Sequence, residues 1–75
     1  MIMTIEIIDP LASKYYRALN PEIESVPYKK THSKIELLES DRMRITVEGD
    51  DLSAIRGTFN SYLNWIKIVE ENLDI

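Results

Sequence analysis

The sequence has 75 residues, a net charge of −4 and no cysteine, which indicates one small domain without disulfides or thiolate metal sites. The negative charge disfavours a general nucleic-acid-binding protein. No apolar run could span a bilayer and no signal peptide is recognisable, so we expect one cytoplasmic domain over residues 1–75 without a membrane partner.

The first part of the chain predicts a strand followed by a short helix. Apolar residues alternate with polar ones over residues 3–8, as in a strand with one buried face. Asp9 and Pro10 are then typical of a helix start. Because the residue before a proline resists the α conformation, the step from Asn20 to Pro21 predicts that this helix ends near residue 20.

A loop and a β-hairpin are predicted next. Residues 21–31 have no period, and the end of this loop begins the one basic cluster of the sequence. Alternation predicts a second strand over residues 34–38 and a third over residues 43–48. The polar turn between them, residues 39–41, is short enough to make the two strands antiparallel neighbours.

The longest amphipathic pattern covers residues 51–73 and predicts the second helix, with an aspartate cap at its start. Gly57 interrupts it at a cost of about 1 kcal/mol relative to alanine, which close packing by a neighbour would offset. The resulting order is β-α-β-β-α, an α+β fold whose two helices pack on one face of a three-stranded antiparallel sheet. The apolar stripe consists of Leu52, Ile55, Phe59, Tyr62, Ile66, Val69 and Leu73.

The sequence shows no recognisable set of catalytic residues. His32 is the one histidine, and we expect it to be exposed. The adjacent acidic residues at 50–51 and 70–71 diverge on a helix, so capping and solvation explain them better than acid–base chemistry. No glycine-rich phosphate loop is present. We expect neither an enzyme nor a metal or cofactor site.

The small size of the domain favours association with a second copy. A core of this size rarely leaves more than about 3–5 kcal/mol of stability, and no disulfide supplements it. The predicted sheet also has two open edges and one face that no helix covers. We therefore expect a homodimer.

The string AIRGTFNSYLNWI at residues 54–66 is the most specific pattern in the chain. It resembles the signature of the Pcc family, the small dimerisation subunit of the KEOPS complex, with Ile55 in place of a leucine. The segment YYRALNPE at residues 15–22 is similar to the family's tyrosine-x-alanine-leucine-x-proline-glutamate segment, and length and element order also agree. The matching positions of the second helix are Ala54, Arg56, Gly57, Asn60, Ser61, Tyr62, Leu63, Trp65 and Ile66.

The resemblance implies a non-catalytic role in tRNA modification, in a compact form that looks archaeal. KEOPS installs threonylcarbamoyladenosine beside the anticodon, and a separate ATPase-fold subunit performs the transfer. The Pcc-type subunit forms a homodimer. Each copy packs its two helices against one catalytic subunit, so that the dimer joins two of them and helps to hold tRNA.

The family's contacts can be carried over to both helices and to the basic cluster. Asn64 stands where many relatives have arginine, which removes a positive charge from the second helix. The tRNA candidates are therefore Arg56 with Lys29, Lys30 and Lys34. The partner-binding candidates are Tyr15, Tyr16, Leu19, Arg56, Gly57, Asn60, Tyr62, Leu63, Trp65 and Ile66.

Two alternative functions also fit the predicted elements. A KH-like RNA-binding domain has a comparable order of elements, but it clamps RNA with a GxxG loop that this sequence lacks. A dimeric interaction module unrelated to tRNA, such as a transcriptional one, would also use the exposed helices and sheet edges.

Overall fold

A computed structural model describes residues 1–25 and 30–73 of the chain. It confirms the predicted α+β fold, with the order β-α-β-β-α. None of the helices in these two segments is long and apolar enough to cross a lipid bilayer. The elements are β1 (Ile2–Ile8), α1 (Ala12–Ser25), β2 (Thr31–Glu39), β3 (Arg42–Gly49) and α2 (Leu52–Leu73).

The sheet is antiparallel, with β3 between β1 and β2. Ile45 of β3 lies opposite Ile5 of β1 and Ile35 of β2, so one row of isoleucines crosses the sheet. Alternation then places Met43 and Val47 on this same face, and both are buried. β3, the strand with the clearest alternation in the sequence, is thus the central one. It alone has a neighbouring strand on each side.

Both helices cover this apolar face of the sheet. α1 packs mainly against β2, and α2 packs mainly against β3. Each helix reverses the direction of the strand before it, and β1 and β3 are antiparallel, so α1 and α2 also run in opposite directions. The helical part of the core consists of Ala12, Tyr15, Leu19, Ile23, Ile55, Phe59 and Tyr62.

Aspartate side chains begin both helices, as the sequence predicts. The carboxylate of Asp9 accepts a hydrogen bond from the backbone N–H of Leu11 at 2.8 Å. That of Asp51 accepts one from the N–H of Ala54 at 2.9 Å. Each carboxylate satisfies a backbone donor that has no partner inside its helix, which is the reason aspartate is favoured there.

The predicted end of the first helix is wrong, because α1 continues through Pro21 to Ser25. Proline cannot donate a backbone hydrogen bond, and it removes one from the helix interior. The additional turn places Ile23 in the core, where only 4% of it is exposed. Burial of a side chain of this size is worth about 1.5–3 kcal/mol, which offsets the cost of the proline.

The second strand also begins earlier than predicted, at Thr31 instead of residue 34. Thr31 pairs with Gly49 at the end of β3. Its buried hydroxyl lies 2.9 Å from that of Thr58 on α2. This contact between a strand and a helix far apart in the sequence extends β2 beyond the range that alternation predicts.

The outer face of the sheet is polar along its centre. Arg44 donates to Glu6 at 2.9 Å across β3 and β1. Lys34 lies 3.9 Å from Glu36 along β2. Ile8, by contrast, is 72% exposed at the end of β1. Acidic and basic side chains alternate on this face, so it has no pronounced positive character.

Candidate partner-binding surfaces

Three of the ten partner-binding candidates lie in the core of the domain. Tyr15, Leu19 and Tyr62 are buried between the helices and the sheet. The Tyr62 hydroxyl donates to the Ser33 hydroxyl oxygen on β2. These side chains fix the helices on the sheet, so a partner on the outer surface of the helices would not meet Tyr15 or Tyr62 directly. Tyr16 and Ile66 also pack against the core and are partly buried.

The outer seam between the antiparallel helices forms an open groove of about 250 Å³. Trp65 is partly buried in it, whereas Ile68 is 55% exposed. Most of the groove is apolar, and Glu22 is the one charged residue among the described residues that line it. These residues are Ala18, Leu19, Glu22, Trp65, Ile68 and Val69.

The indole of Trp65 is supported from inside the domain by the ring of Tyr62, which itself packs against Phe59. The rings of Trp65 and Tyr62 are 5.4 Å apart between centroids. Tyr62 in turn meets Phe59 edge to face at 6.3 Å. A side chain held on one side by packed rings needs little ordering on binding, which favours it as an interface anchor.

Four residues of the groove are not among the partner-binding candidates predicted from the sequence: Ala18, Glu22, Ile68 and Val69. The available signal was Ile68, because a large apolar residue three positions after Trp65 extends the apolar surface beyond the main stripe of α2. Ala18 and Glu22 gave no such signal, because their role depends on which helix lies next to α1.

Gly57 lies on the outer surface of α2. A Cβ built at this glycine would meet no atom within 4 Å among the described residues. The close packing that would offset the cost of Gly57 is therefore not supplied by the described residues of the domain. Gly57 faces outward with the exposed side chains of Asn60 and Asn64.

A second apolar surface lies on the opposite flank of α2. At about 100° per residue, Leu52 and Leu63 lie on the side of the helix away from Trp65 and Ile68. α1 occupies the Trp65 side above β2, so this flank is directed toward β1. Leu63 is 53% exposed, and Met3 on β1 is also exposed. Arg56 shares this flank.

The candidate tRNA residues do not form one patch. Lys30 is exposed and is the neighbour of Thr31 in the sequence. Because Thr31 contacts Thr58, Lys30 lies near the first half of α2, and Arg56 belongs to the same half. Lys34 lies on the outer sheet face with its amine near Glu36. Lys29 falls outside the described residues.

The end of the domain near Lys30 also contains a polar cleft of about 430 Å³. Both signs of charge line it, so it offers a phosphate group no uniform attraction. Across residues 1–25 and 30–73, no three side chains of the metal-binding types come close enough to hold an ion. The lining is Met1, Lys30, His32, Glu48, Gly49 and Asp50.

Two comparisons with known proteins cover nearly the whole chain. Residues 3–74 match the sequence profile of a family described as Transcription factor Pcc1. The chain is also 37% identical over 67 residues to a protein of Pyrococcus abyssi named KEOPS complex subunit Pcc1. This alignment covers 89% of the present chain and 80% of the Pyrococcus protein.

Proposed function

Because this chain belongs to the Pcc1 family, we propose that it is a non-catalytic scaffold subunit of a KEOPS complex. As a homodimer in the cytoplasm, it would join two ATPase-fold catalytic subunits and help to hold tRNA during formation of threonylcarbamoyladenosine. The observation that carries this proposal is the 37% identity to a KEOPS subunit over 89% of the chain.

The groove between α1 and α2 supports a contact with the catalytic subunit. It combines a half-exposed isoleucine with a tryptophan that packs against the ring of Tyr62. Exposed apolar surface next to a tryptophan is typical of protein–protein contacts. The two antiparallel helices beside it can receive helices from a partner as a bundle.

The opposite flank of α2 and the edge of β1 support the homodimer. β1 is an edge strand, so half of its backbone hydrogen-bonding groups point away from the sheet. Ile2 and Ile8 at its two ends are both exposed. On the face that the helices cover, Met3 of β1 and Leu63 of α2 add further exposed apolar surface. Two copies could therefore associate here while both grooves stay accessible.

The proposed contribution to tRNA binding lies at one end of the domain. Lys30 and Arg56 are both exposed there. Because the net charge is −4, two cations per copy would supplement the binding surface of a larger complex rather than form a complete one.

The description of the family as a transcription factor favours a second candidate function, a dimeric transcriptional module. Such a module would act without a catalytic subunit, and its deletion would leave threonylcarbamoyladenosine levels in tRNA unchanged. Loss of the modified nucleoside after deletion, restored by the intact gene, would favour the KEOPS role.

The proposal is tested by two matched substitutions on α2, Ile68→Glu and Leu63→Glu. Both replace an apolar side chain that is about half exposed with the same carboxylate, but on opposite flanks of the helix. We expect Ile68→Glu to weaken capture of the catalytic subunit by at least about tenfold, because a carboxylate would be desolvated in the groove, and to leave the dimer intact. Leu63→Glu should dissociate the dimer and retain one-to-one capture.

Purified proteins are compared by pull-down and analytical ultracentrifugation, with circular dichroism as the control for folding. The scaffold role is contradicted if the unmodified protein does not capture the catalytic subunit. If the two substitutions exchange their effects, the subunit is a scaffold but the two surfaces are assigned the wrong way round.

A further inference from the structure

We propose that a helix of the catalytic subunit packs directly on Gly57 and inserts a side chain over it, between Asn60 and Asn64. The inference rests on the proposed function, because it specifies how the same partner is held on α2. It extends the contact from the groove along the outer surface of the helix, and it gives Gly57 a role in binding.

Gly57 is an exposed residue in the interior of α2. Glycine destabilises a helix interior more than any other residue except proline, because its backbone loses more freedom on folding. Its φ is not positive, so other residues could adopt the same backbone conformation. A Cβ at this position would meet no atom within 4 Å among the described residues. A close contact with another chain would therefore account for the glycine.

Gly57 forms the floor of a hollow on the outer surface of α2. Residues at i, i+3, i+4 and i+7 of a helix surround one point on its surface, where a side chain of a facing helix can insert. In α2 these residues are Gly57, Asn60, Ser61 and Asn64. The Ser61 hydroxyl donates to the Gly57 carbonyl oxygen at 3.4 Å, so it lies against the helix backbone. A side chain at position 57 would fill this hollow.

The two asparagines determine what kind of side chain the hollow accepts. Asn60 and Asn64 are exposed, and neither side-chain amide has a hydrogen-bond partner among the described residues. Each amide offers two N–H donors and one acceptor oxygen. A partner helix would bury these groups, and buried amides without hydrogen bonds are costly. The inserted side chain should therefore be one that hydrogen-bonds, such as asparagine, glutamine, serine or threonine.

The hollow is continuous with the groove between α1 and α2. Gly57, Asn64 and Ile68 lie within about 40° of one another around the helix axis, so they form one row along α2. Ile68 lines the groove, about 16 Å along the axis from Gly57. One partner helix of about three turns can therefore contact both places. Leu63, on the flank proposed for the homodimer, points about 120° away from Gly57.

Two substitutions at Gly57 separate binding from folding. Alanine and leucine are better helix formers than glycine, so Gly57→Ala and Gly57→Leu should both raise the urea concentration at the midpoint of unfolding. Binding to the purified catalytic subunit, measured by titration calorimetry, should change in the opposite direction. We expect Gly57→Ala to raise Kd by about three- to tenfold and Gly57→Leu by at least about 30-fold, because the larger side chain fills the hollow.

Ser61→Ala is the matched control for Gly57→Ala. It also increases helix propensity on the same surface of α2, but it adds no side-chain volume. We expect it to change Kd by less than about threefold. The double variant Asn60→Ala with Asn64→Ala tests the hydrogen bonds, and it should raise Kd by about tenfold.

An unchanged Kd in Gly57→Leu, or in the double asparagine variant, would overturn the inference and leave the scaffold role standing, provided that the unmodified protein binds. Failure of the unmodified protein to bind would overturn both. A lower urea midpoint in both Gly57 variants would return this position to the packing of the domain. Dissociation of the homodimer by Gly57→Leu, seen by analytical ultracentrifugation, would assign the hollow to a second copy, and either result would also overturn the inference.

Discussion

Gly49 and Gly57 differ in what surrounds them. A Cβ at Gly49 would approach Ile55 and Thr31 side-chain carbons at 3.1 Å each. It would also lie 3.3 Å from the carbonyl oxygen of Lys30. At Gly57, a Cβ would have open space. A side chain at the first glycine would thus be crowded by the strands and α2, whereas the second lowers helix stability and none of the described residues packs against it to compensate.

These surroundings predict opposite effects of alanine at the two positions. Gly57→Ala should raise the free energy of unfolding by about 0.5–1 kcal/mol, because alanine is the better helix former. Gly49→Ala should lower it by about 1–3 kcal/mol through overpacking. Urea denaturation of both variants measures the difference, and a shift of the same sign at both sites would contradict the packing at Gly49.

At the scale of the element, α1 shows how tertiary contacts outweigh a local preference. The pre-proline rule applies to Asn20, which nevertheless remains helical. The reason is that the turn after Pro21 brings Ile23 into the core. α2 contains no such conflict, and its apolar stripe and aspartate cap predict its range well.

Pro21→Ala should therefore stabilise the protein. Alanine restores the backbone hydrogen bond to the carbonyl of Arg17 and removes the clash of the proline ring, a gain of about 3 kcal/mol in a helix interior. Greater freedom of the unfolded chain reduces this gain by about 0.4–1 kcal/mol. We expect a net increase of about 2 kcal/mol in the free energy of unfolding, measured by urea denaturation. A decrease would show that the ring makes favourable contacts which exceed the lost hydrogen bond.

At the scale of the whole molecule, charge limits what the subunit can bind alone. The net charge is −4. On the outer face of the sheet, Arg44 and Lys34 lie beside Glu6 and Glu36. A protein binds a polyanion when its lysines and arginines neutralise phosphates and release the counterions of the nucleic acid. Cations that are already paired with carboxylates of the protein contribute little to this binding.

We therefore expect the isolated protein to bind tRNA with a Kd above about 1 µM in physiological salt. In the assembled complex, Arg56→Glu should reduce tRNA affinity more than Lys34→Glu, because Lys34 already lies next to a carboxylate. Filter binding measures both quantities. Sub-micromolar binding by the isolated subunit would instead favour the free-standing RNA-binding alternative.

Local patterns in the sequence determined the type and order of the elements. Alternation identifies the strands, and spacings of three and four identify α2. Asp9 and Asp51 mark the helix starts because their carboxylates bond to backbone groups only two or three residues away. Each of these signals acts within a few residues, so it can be recognised without knowing the rest of the fold.

Only the tertiary structure decided where the chain presents its surfaces. It placed β3 in the centre, continued α1 beyond Pro21, and extended β2 to Thr31. It also buried Tyr62 while leaving Trp65, three residues later, at the edge of a groove. That groove lies between α1 and α2, which are far apart in the sequence. The periodic pattern of one helix does not indicate which other element will pack beside that helix.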